Sequence, residues 1–343
     1  MPLAPSPRGA PDRAARVVSV ARRTLVALGL LASVGAALPG DDAEDGSAEA
    51  VEGVPAPTPT TPGDAPPPLS PSVRVAPERW TVPGEVIAAV RAARGAPLGV
   101  RMDAASRTFL NLPYTNEAAG EGIGEDTDPP ARYDTFDCLT FVEEVVSLAL
   151  AGDPLYAPEI RNALRYKGTP SYTSRRHFME AEWVPGAIQS GLLEDITARV
   201  GRASTLVKDV TPEVWKHWRR RSFFSLPDAA LPVGPWTLSY LDLDAAEEAL
   251  PRIPEGALLL TLRVPRDWSP VITTHISMVV TTEDGPRMRH ATRMGAQKVR
   301  DDRVDWYIHH LRDYTNWPSL GITVLYPREQ GPRLSALPRP PAP

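Results

Sequence analysis

Cysteine is almost absent: the 343 residues carry one, Cys138. A lone thiol excludes an internal disulfide and the paired-cysteine pattern of a structural zinc site. Histidine is scarce as well, at six residues. None of His177, His217, His275, His290, His309 and His310 stands in a metal-ligand spacing, so no metal and no other cofactor is expected. There is no Gly-x-Ser-x-Gly elbow, which removes the commonest serine-hydrolase pattern. No internal repeat is present. A formal net charge of −5 gives no sign of nucleic-acid binding. The glycine-rich stretch 120–126 is acidic, follows no strand and lacks a lysine, so it reads as a flexible loop rather than a phosphate cradle.

Long apolar runs are also missing, with one short exception. Residues 24–34 are apolar, follow Arg13, Arg16, Arg22 and Arg23, and lead into Gly35-Ala36-Ala37. That order reads as an export signal over 1–37 and is too short to favour a membrane anchor, so no stable membrane insertion is expected after cleavage. No cysteine follows the run, which excludes lipid anchoring of the bacterial lipoprotein kind. Residues 38–79 hold Ala, Pro, Gly, Asp, Glu, Thr and Ser with few large apolar groups, and read as a disordered linker. A folded domain is expected over 80–328 and a disordered, proline-rich tail over 329–343. The chain is expected to be exported, periplasmic or extracellular, and monomeric.

What is present centres on Cys138. Apolar residues follow it at 139, 141, 142, 145, 146, 148 and 149, leaving Thr140, Glu143, Glu144 and Ser147 as a narrow polar stripe. Asp137 is a good N-cap, and Gly152-Asp153-Pro154 stops the helix. Cys138 therefore opens a mostly buried helix, where free N–H groups and the helix dipole favour a thiolate. An inert, core-packed thiol is the bland alternative. Outside the cytosol, an unpaired cysteine is more often reactive.

Further helices are expected at 84–94, 157–166 and 175–190. Strands are expected at 257–264, 275–282, 287–292 and 321–326. Helices first and an antiparallel sheet afterwards define an α+β fold. A cysteine nucleophile needs a base and a group that holds the base in one tautomer. His275 opens one strand and His290 lies on its hairpin partner, with parity that puts both on one face. A turn centred on Asp284-Gly285 would leave them ~13 Å apart, four residues at ~3.3 Å each. Direct opposition needs a turn near 282–283 or a bulge.

An ordered set of short motifs adds a resemblance. They are Phe109-Leu110-x-Leu112-Pro113-Tyr114, Phe136-Asp137-Cys138-x-Thr140-Phe141-Val142-Glu143, and Tyr172-x-x-Arg175-Arg176-His177-Phe178 with Trp183. After these come Asp195-x-Thr197, Ile253-Pro254-x-Gly256, His275-Ile276-Ser277, His290-Ala291-Thr292 and Gly321-Ile322-Thr323-Val324. Together the chain resembles the NlpC-type papain-like cysteine hydrolases of bacterial cell walls, in their N-acetylmuramoyl-L-alanine amidase-like branch. Thr292 and Ala257 replace the family's usual serine and aspartate, and residues 200–250 match poorly. The resemblance implies a papain-like fold in which a central helix carrying the cysteine packs on an antiparallel sheet. It also implies Cys138 as nucleophile, His275 as base and acid, and His290 as the group that orients it. Tyr114, Asp137, Arg176, His177 and Trp183 are candidate substrate contacts, against a scaffold role. The implied reaction is hydrolysis of the amide between N-acetylmuramic acid and L-alanine in peptidoglycan or muropeptides. Alternatives are a peptidoglycan endopeptidase of the same fold, a Cys-His-His lipid acyltransferase or hydrolase, and a non-catalytic wall-binding module.

Overall fold

The computed structural model describes residues 66–70 and 81–338. The expected signal segment and most of the expected linker lie outside the described residues. Helices come first: α1 (Gly84–Ala92), α2 (Leu98–Arg107), α3 (Cys138–Ala151), α4 (Ala157–Arg165) and α5 (Val184–Gln189). The later helices are short: α6 (Thr197–Val200), α7 (Pro212–His217), α8 (Leu243–Ala249), α9 (Val304–His310) and α10 (Gly331–Ser335). The strands are β1 (Leu193–Asp195), β2 (Ser204–Val210), β3 (Gly234–Asp242), β4 (Leu258–Arg263), β5 (Thr273–Thr282), β6 (Gly285–Thr292), β7 (Lys298–Arg303) and β8 (Ser319–Pro327). They form one sheet in the order β2-β3-β8-β4-β5-β6-β7, with β1 also paired to β8 and every pairing antiparallel. The architecture is mixed, with helices on an antiparallel sheet.

α3 is the centre of one face. The Asp137 carboxylate accepts from the Thr140 N–H at 2.8 Å, and the Thr140 hydroxyl accepts from the Asp137 N–H at 3.1 Å, a reciprocal cap. At the other end Gly152 adopts φ 61° and returns its N–H to the Leu148 carbonyl, a conformation glycine allows cheaply. Phe141, Val142, Val145 and Val146 are fully buried against Leu258, Leu260, Ile276 and Met278. Each such side chain contributes about 1.5–3 kcal/mol of burial. The opposite face of the sheet packs Val279, Met288, Ile322 and Val324 against α8 and α9.

The polar stripe of α3 is not solvated. Glu143 and Glu144 are buried, and they meet α4 through Arg165 at 2.7 Å and Arg161 at 2.7 Å. The Trp183 indole N–H donates to Glu143 at 2.9 Å, and the Tyr133 hydroxyl donates to Glu144 at 2.7 Å. Removing one partner from such a pair leaves a buried charge, at about 3–5 kcal/mol.

Other expectations are corrected by particular contacts. The loop expected to be flexible over 120–126 is tied down, because Arg175 reaches both Glu121 and Asp126 at 2.7 and 2.8 Å. The helix expected over 175–190 begins late: a single π-helical turn spans Met179–Trp183 and leads into α5, while 175–178 lies outside any helix. α2, the β2–β3 hairpin and β7 are elements the residue pattern did not announce. The stretch 200–250 builds its own aromatic core from Trp215, Trp218, Phe224 and Trp236 with Phe178. Within the expected tail, α10 directs Arg333 to the carbonyls of Ser190 and Pro67. Within the expected linker, Leu69 is buried in the main core.

Candidate active site

β5 and β6 close on a two-residue turn, Glu283-Asp284, with Thr282 paired to Gly285 and Met278 to Arg289. Continuing that register sets His275 across from Thr292 and His290 across from Ser277. The histidines are therefore diagonal neighbours, a geometry that keeps Cβ atoms within about 7–8 Å and lets long rings meet. Their rings do meet: His275 Nε2 and His290 Nδ1 are 2.7 Å apart. The next link is diagonal again. On β7, Asp302 pairs with Met288, and its carboxylate lies 3.0 Å from His290 Nε2. Three adjacent strands thus carry one hydrogen-bonded line, His275–His290–Asp302.

The chemistry of the three groups fixes the direction of that line. Asp302 also accepts from Arg300 at 3.0 and 2.7 Å. Burial pushes Asp302 upward, but the bonds from His290 and Arg300 outweigh it and hold the carboxyl below the usual carboxylate range. An ionised carboxylate only accepts, so His290 Nε2 carries the hydrogen and His290 Nδ1 is a lone pair. His275 Nε2 must then donate, which leaves His275 Nδ1 unprotonated and free to act as a base. Tyr307 packs against both rings, each at 6.2 Å between centroids, and its hydroxyl is held by Thr261 at 2.8 Å.

Cys138 opens α3, and the backbone N–H groups of Ile276, next in sequence to His275, and of Cys138 and Leu139 favour its thiolate. The thiol is 2 % exposed. Burial and the neighbouring Asp137 charge push it up to about 12, against the three N–H groups that favour the thiolate. Burial and His290 press His275 well below 6.5, and burial lowers His290 despite Asp302. Both the thiol and the imidazole are thereby held neutral at rest. The expected helix-start thiolate is corrected: the N–H groups are in place, but desolvation and Asp137 win.

The remaining expected contacts separate into two sets. Asp137 stays at the site as a buried cap, accepting from the N–H groups of Thr140 and Ala118. Tyr114 bridges to Phe136, and burial first, with the nearby Asp137 carboxyl, pushes its phenol above 10, so the hydroxyl stays protonated. Trp183 is fully buried on Glu143 and has no face to offer a substrate. Arg176 donates to the carbonyls of Ala163 and Leu164 at the end of α4. His177 is buried, its Nε2 spent on the Tyr172 carbonyl at 2.6 Å. All three have polar side-chain atoms bonded to other parts of the fold. Asp302 was missed. Its only sequence signal is a strand-face parity with Met288 inside the charged run 298–303, which looks like a solvated surface.

Among the described residues, no group of His, Cys, Asp and Glu could hold a metal ion, and no helix is long and apolar enough to cross a membrane.

A mixed helix and antiparallel-sheet domain, with a buried thiol at a helix start and a His-His-Asp line across three adjacent strands, is the class that fold and site define. The chain belongs to the AmiA-like family, described as N-acetylmuramoyl-L-alanine amidase-like, which matches residues 104–313. No curated protein matches it. Among solved structures, it is similar to a Legionella pneumophila protein of the family DUF1460, at 22% identity and TM-score 0.61, over 71% of this chain and 93% of that one. It is also similar to an N-acetylmuramoyl-L-alanine amidase from Bacteroides uniformis, at 20% identity and TM-score 0.56, over 68% and 99% of the two chains. A putative xylanase from Bacteroides fragilis is similar at 22% identity and TM-score 0.52, over 64% and 98%. At such identities the likeness is one of fold.

Proposed function

We propose that the protein is an exported, monomeric, papain-like cysteine amidase that hydrolyses the bond between N-acetylmuramic acid and L-alanine in peptidoglycan or muropeptides. The observation that carries this reading is the line from Asp302 through His290 to His275, next in sequence to Ile276, whose N–H favours the Cys138 thiolate. Family membership supports the substrate class.

His275 Nδ1 takes the thiol proton as Cys138 Sγ attacks the lactyl carbonyl carbon. A neutral pair becomes a thiolate and an imidazolium only as the S–C bond forms, so the charge is generated in the transition state rather than stored in the resting enzyme. The imidazolium is stabilised through His290 by the Asp302 carboxylate. Negative charge on the carbonyl oxygen is met by N–H groups at the start of α3 and by the protonated Tyr114 hydroxyl. The imidazolium then protonates the leaving amine of L-alanine, the C–N bond breaks, and a thioester remains. Water, deprotonated by His275, cleaves the thioester and returns the proton to sulfur.

The test is product analysis on a defined muramoyl-peptide. Wild type is expected to release a peptide with a free N-terminal L-alanine, identified by mass spectrometry. Cys138→Ala is expected to keep its fold and lose at least ~10³-fold in rate. Full activity in that variant would end the reading, and cleavage between peptide residues would replace the amidase with an endopeptidase.

A further inference from the structure

A groove of about 670 Å³ runs between β7 and α9 and reaches the relay at Asp302. Arg300, Asp302, Arg303, Asp305, Trp306 and His309 are among its lining residues. The charges in it are largely spent on one another. Arg300 holds Asp302 at 2.7 Å, Arg303 holds Asp305, and Asp301 holds Arg289 at 2.7 Å. A groove in which cations and anions cancel does not select an ionic ligand by charge. It offers instead a dense array of fixed donors and acceptors.

Trp306 stands over this array. Its side chain is 43% exposed, large for an indole on a folded surface. One face is stacked on His310, with ring centroids 5.0 Å apart and planes 6° from parallel, and His310 is itself held by Asp313 at 3.0 Å. A rigid aromatic platform beside paired polar side chains suits a ring with an apolar face and a rim of hydroxyl or acetamido groups. A protein surface would need more apolar area than one indole, and a phosphate would need free arginines.

We propose that this groove is a second binding site, bordering the relay at Asp302, for a neutral N-acetylated saccharide of a glycan strand, with Trp306 as the stacking platform. The identity of the polymer rests on the amidase reading; the site itself rests on the groove. Binding there tethers the enzyme to the polymer and raises the effective concentration of nearby stem peptides.

The experiment uses the full chain carrying Cys138→Ala, so that nothing turns over, and chitotetraose as the probe in isothermal titration calorimetry. Saturable binding is expected, and adding Trp306→Ala should weaken it by about tenfold with an unchanged melting temperature. Lack of binding at millimolar probe, or equal affinity with and without the indole, overturns the proposal. In the catalytically intact chain, Trp306→Ala should raise KM on polymeric peptidoglycan and leave kcat, and turnover of a small muramoyl-peptide, unchanged. The two readings fail separately. A chain that binds chitotetraose through Trp306 but cleaves no muramoyl-peptide keeps this site and loses the amidase; the converse result does the opposite.

Discussion

His177 and His275 are both hemmed in by aromatic rings, and burial holds each imidazole below its ordinary 6.5. Tyr172, Phe178 and Phe224 surround His177, and His290 and Tyr307 flank His275. Their nitrogens differ in use. His177 spends Nε2 on the carbonyl of Tyr172, an acceptor that cannot pass a proton or change its charge. His275 spends Nε2 on a second histidine backed by a carboxylate, which sets the tautomer and supports the imidazolium. Burial and a shifted pKa therefore do not mark the proposed base. What marks it is where the second nitrogen's partner leads.

The largest effect that separates the two is on turnover. His275→Ala should lower kcat by about 10³-fold with little change in melting temperature, because its loss removes the general base. His177→Ala should leave kcat unchanged and cost about 2 kcal/mol of stability, since it empties a ring from a packed aromatic cluster. Steady-state kinetics and urea unfolding on the two variants check both halves. Equal kcat losses would erase the distinction.

A second effect follows from the neutral resting pair. With the thiol pushed up to about 12, alkylation of Cys138 by iodoacetamide should be slow at pH 6 and rise about tenfold per pH unit through the alkaline range, tracking the thiolate fraction. A rate that is already flat at pH 5 would show a preformed thiolate instead. For kcat/KM, the acid limb should lie below 6.5, because the base is lost only once His275 is protonated and its pKa is depressed.

The third, smaller effect probes direction along the relay. In Asp302→Asn the amide can turn its NH₂ toward His290 Nε2, forcing the hydrogen onto His290 Nδ1 and then onto His275 Nδ1, where it blocks the thiol. The same change in a Ser-His-Asp triad costs ~10⁴-fold, and one link further out we expect about 10²-fold in kcat with the fold intact. Asp302→Ala admits water in place of the carboxylate and should be less damaging than asparagine. The reverse order would remove the tautomer argument.

How much of this was legible differs by residue. Asp137-Cys138 could be read because a cap and a helix period are local signals. The shared parity of His275 and His290 was local too, but their contact depends on a register. The turn falls on Glu283-Asp284, two residues of pairing away from both the distant and the directly opposed arrangement. Asp302 hides in a charged strand whose inward face is polar because it serves the relay. Glu143 and Glu144 read only as a polar stripe, because their arginine partners sit 22 and 17 residues later, on another helix. Long-range pairing of polar groups leaves no period in the sequence. His177 and Trp183, which the resemblance offered as substrate contacts, are buried, and Arg176 is half-buried with its Nη1 on the carbonyls of Ala163 and Leu164.

The smallest effect concerns His177 alone, and its sign can be worked out. Its folded-state pKa is about 3, while the unfolded chain returns it to 6.5. Between those values the unfolded state binds more protons than the folded one, so stability falls as pH drops from 6.5 toward 3 and is unaffected above. The slope this adds is at most about 1.4 kcal/mol per pH unit. His177→Gln keeps a polar group near the Tyr172 carbonyl but cannot titrate. Although less stable at pH 7.5, it should lose less stability than wild type between pH 6.5 and 4.5, measured by urea midpoints at each pH. The same comparison on His275 is muddied by His290 and Asp302, which titrate with it. At His177 the nearest charges are Arg175 and Lys167, both fixed over that range, so parallel curves for wild type and variant would mean that the imidazole is reached by solvent and is not sealed in the cluster.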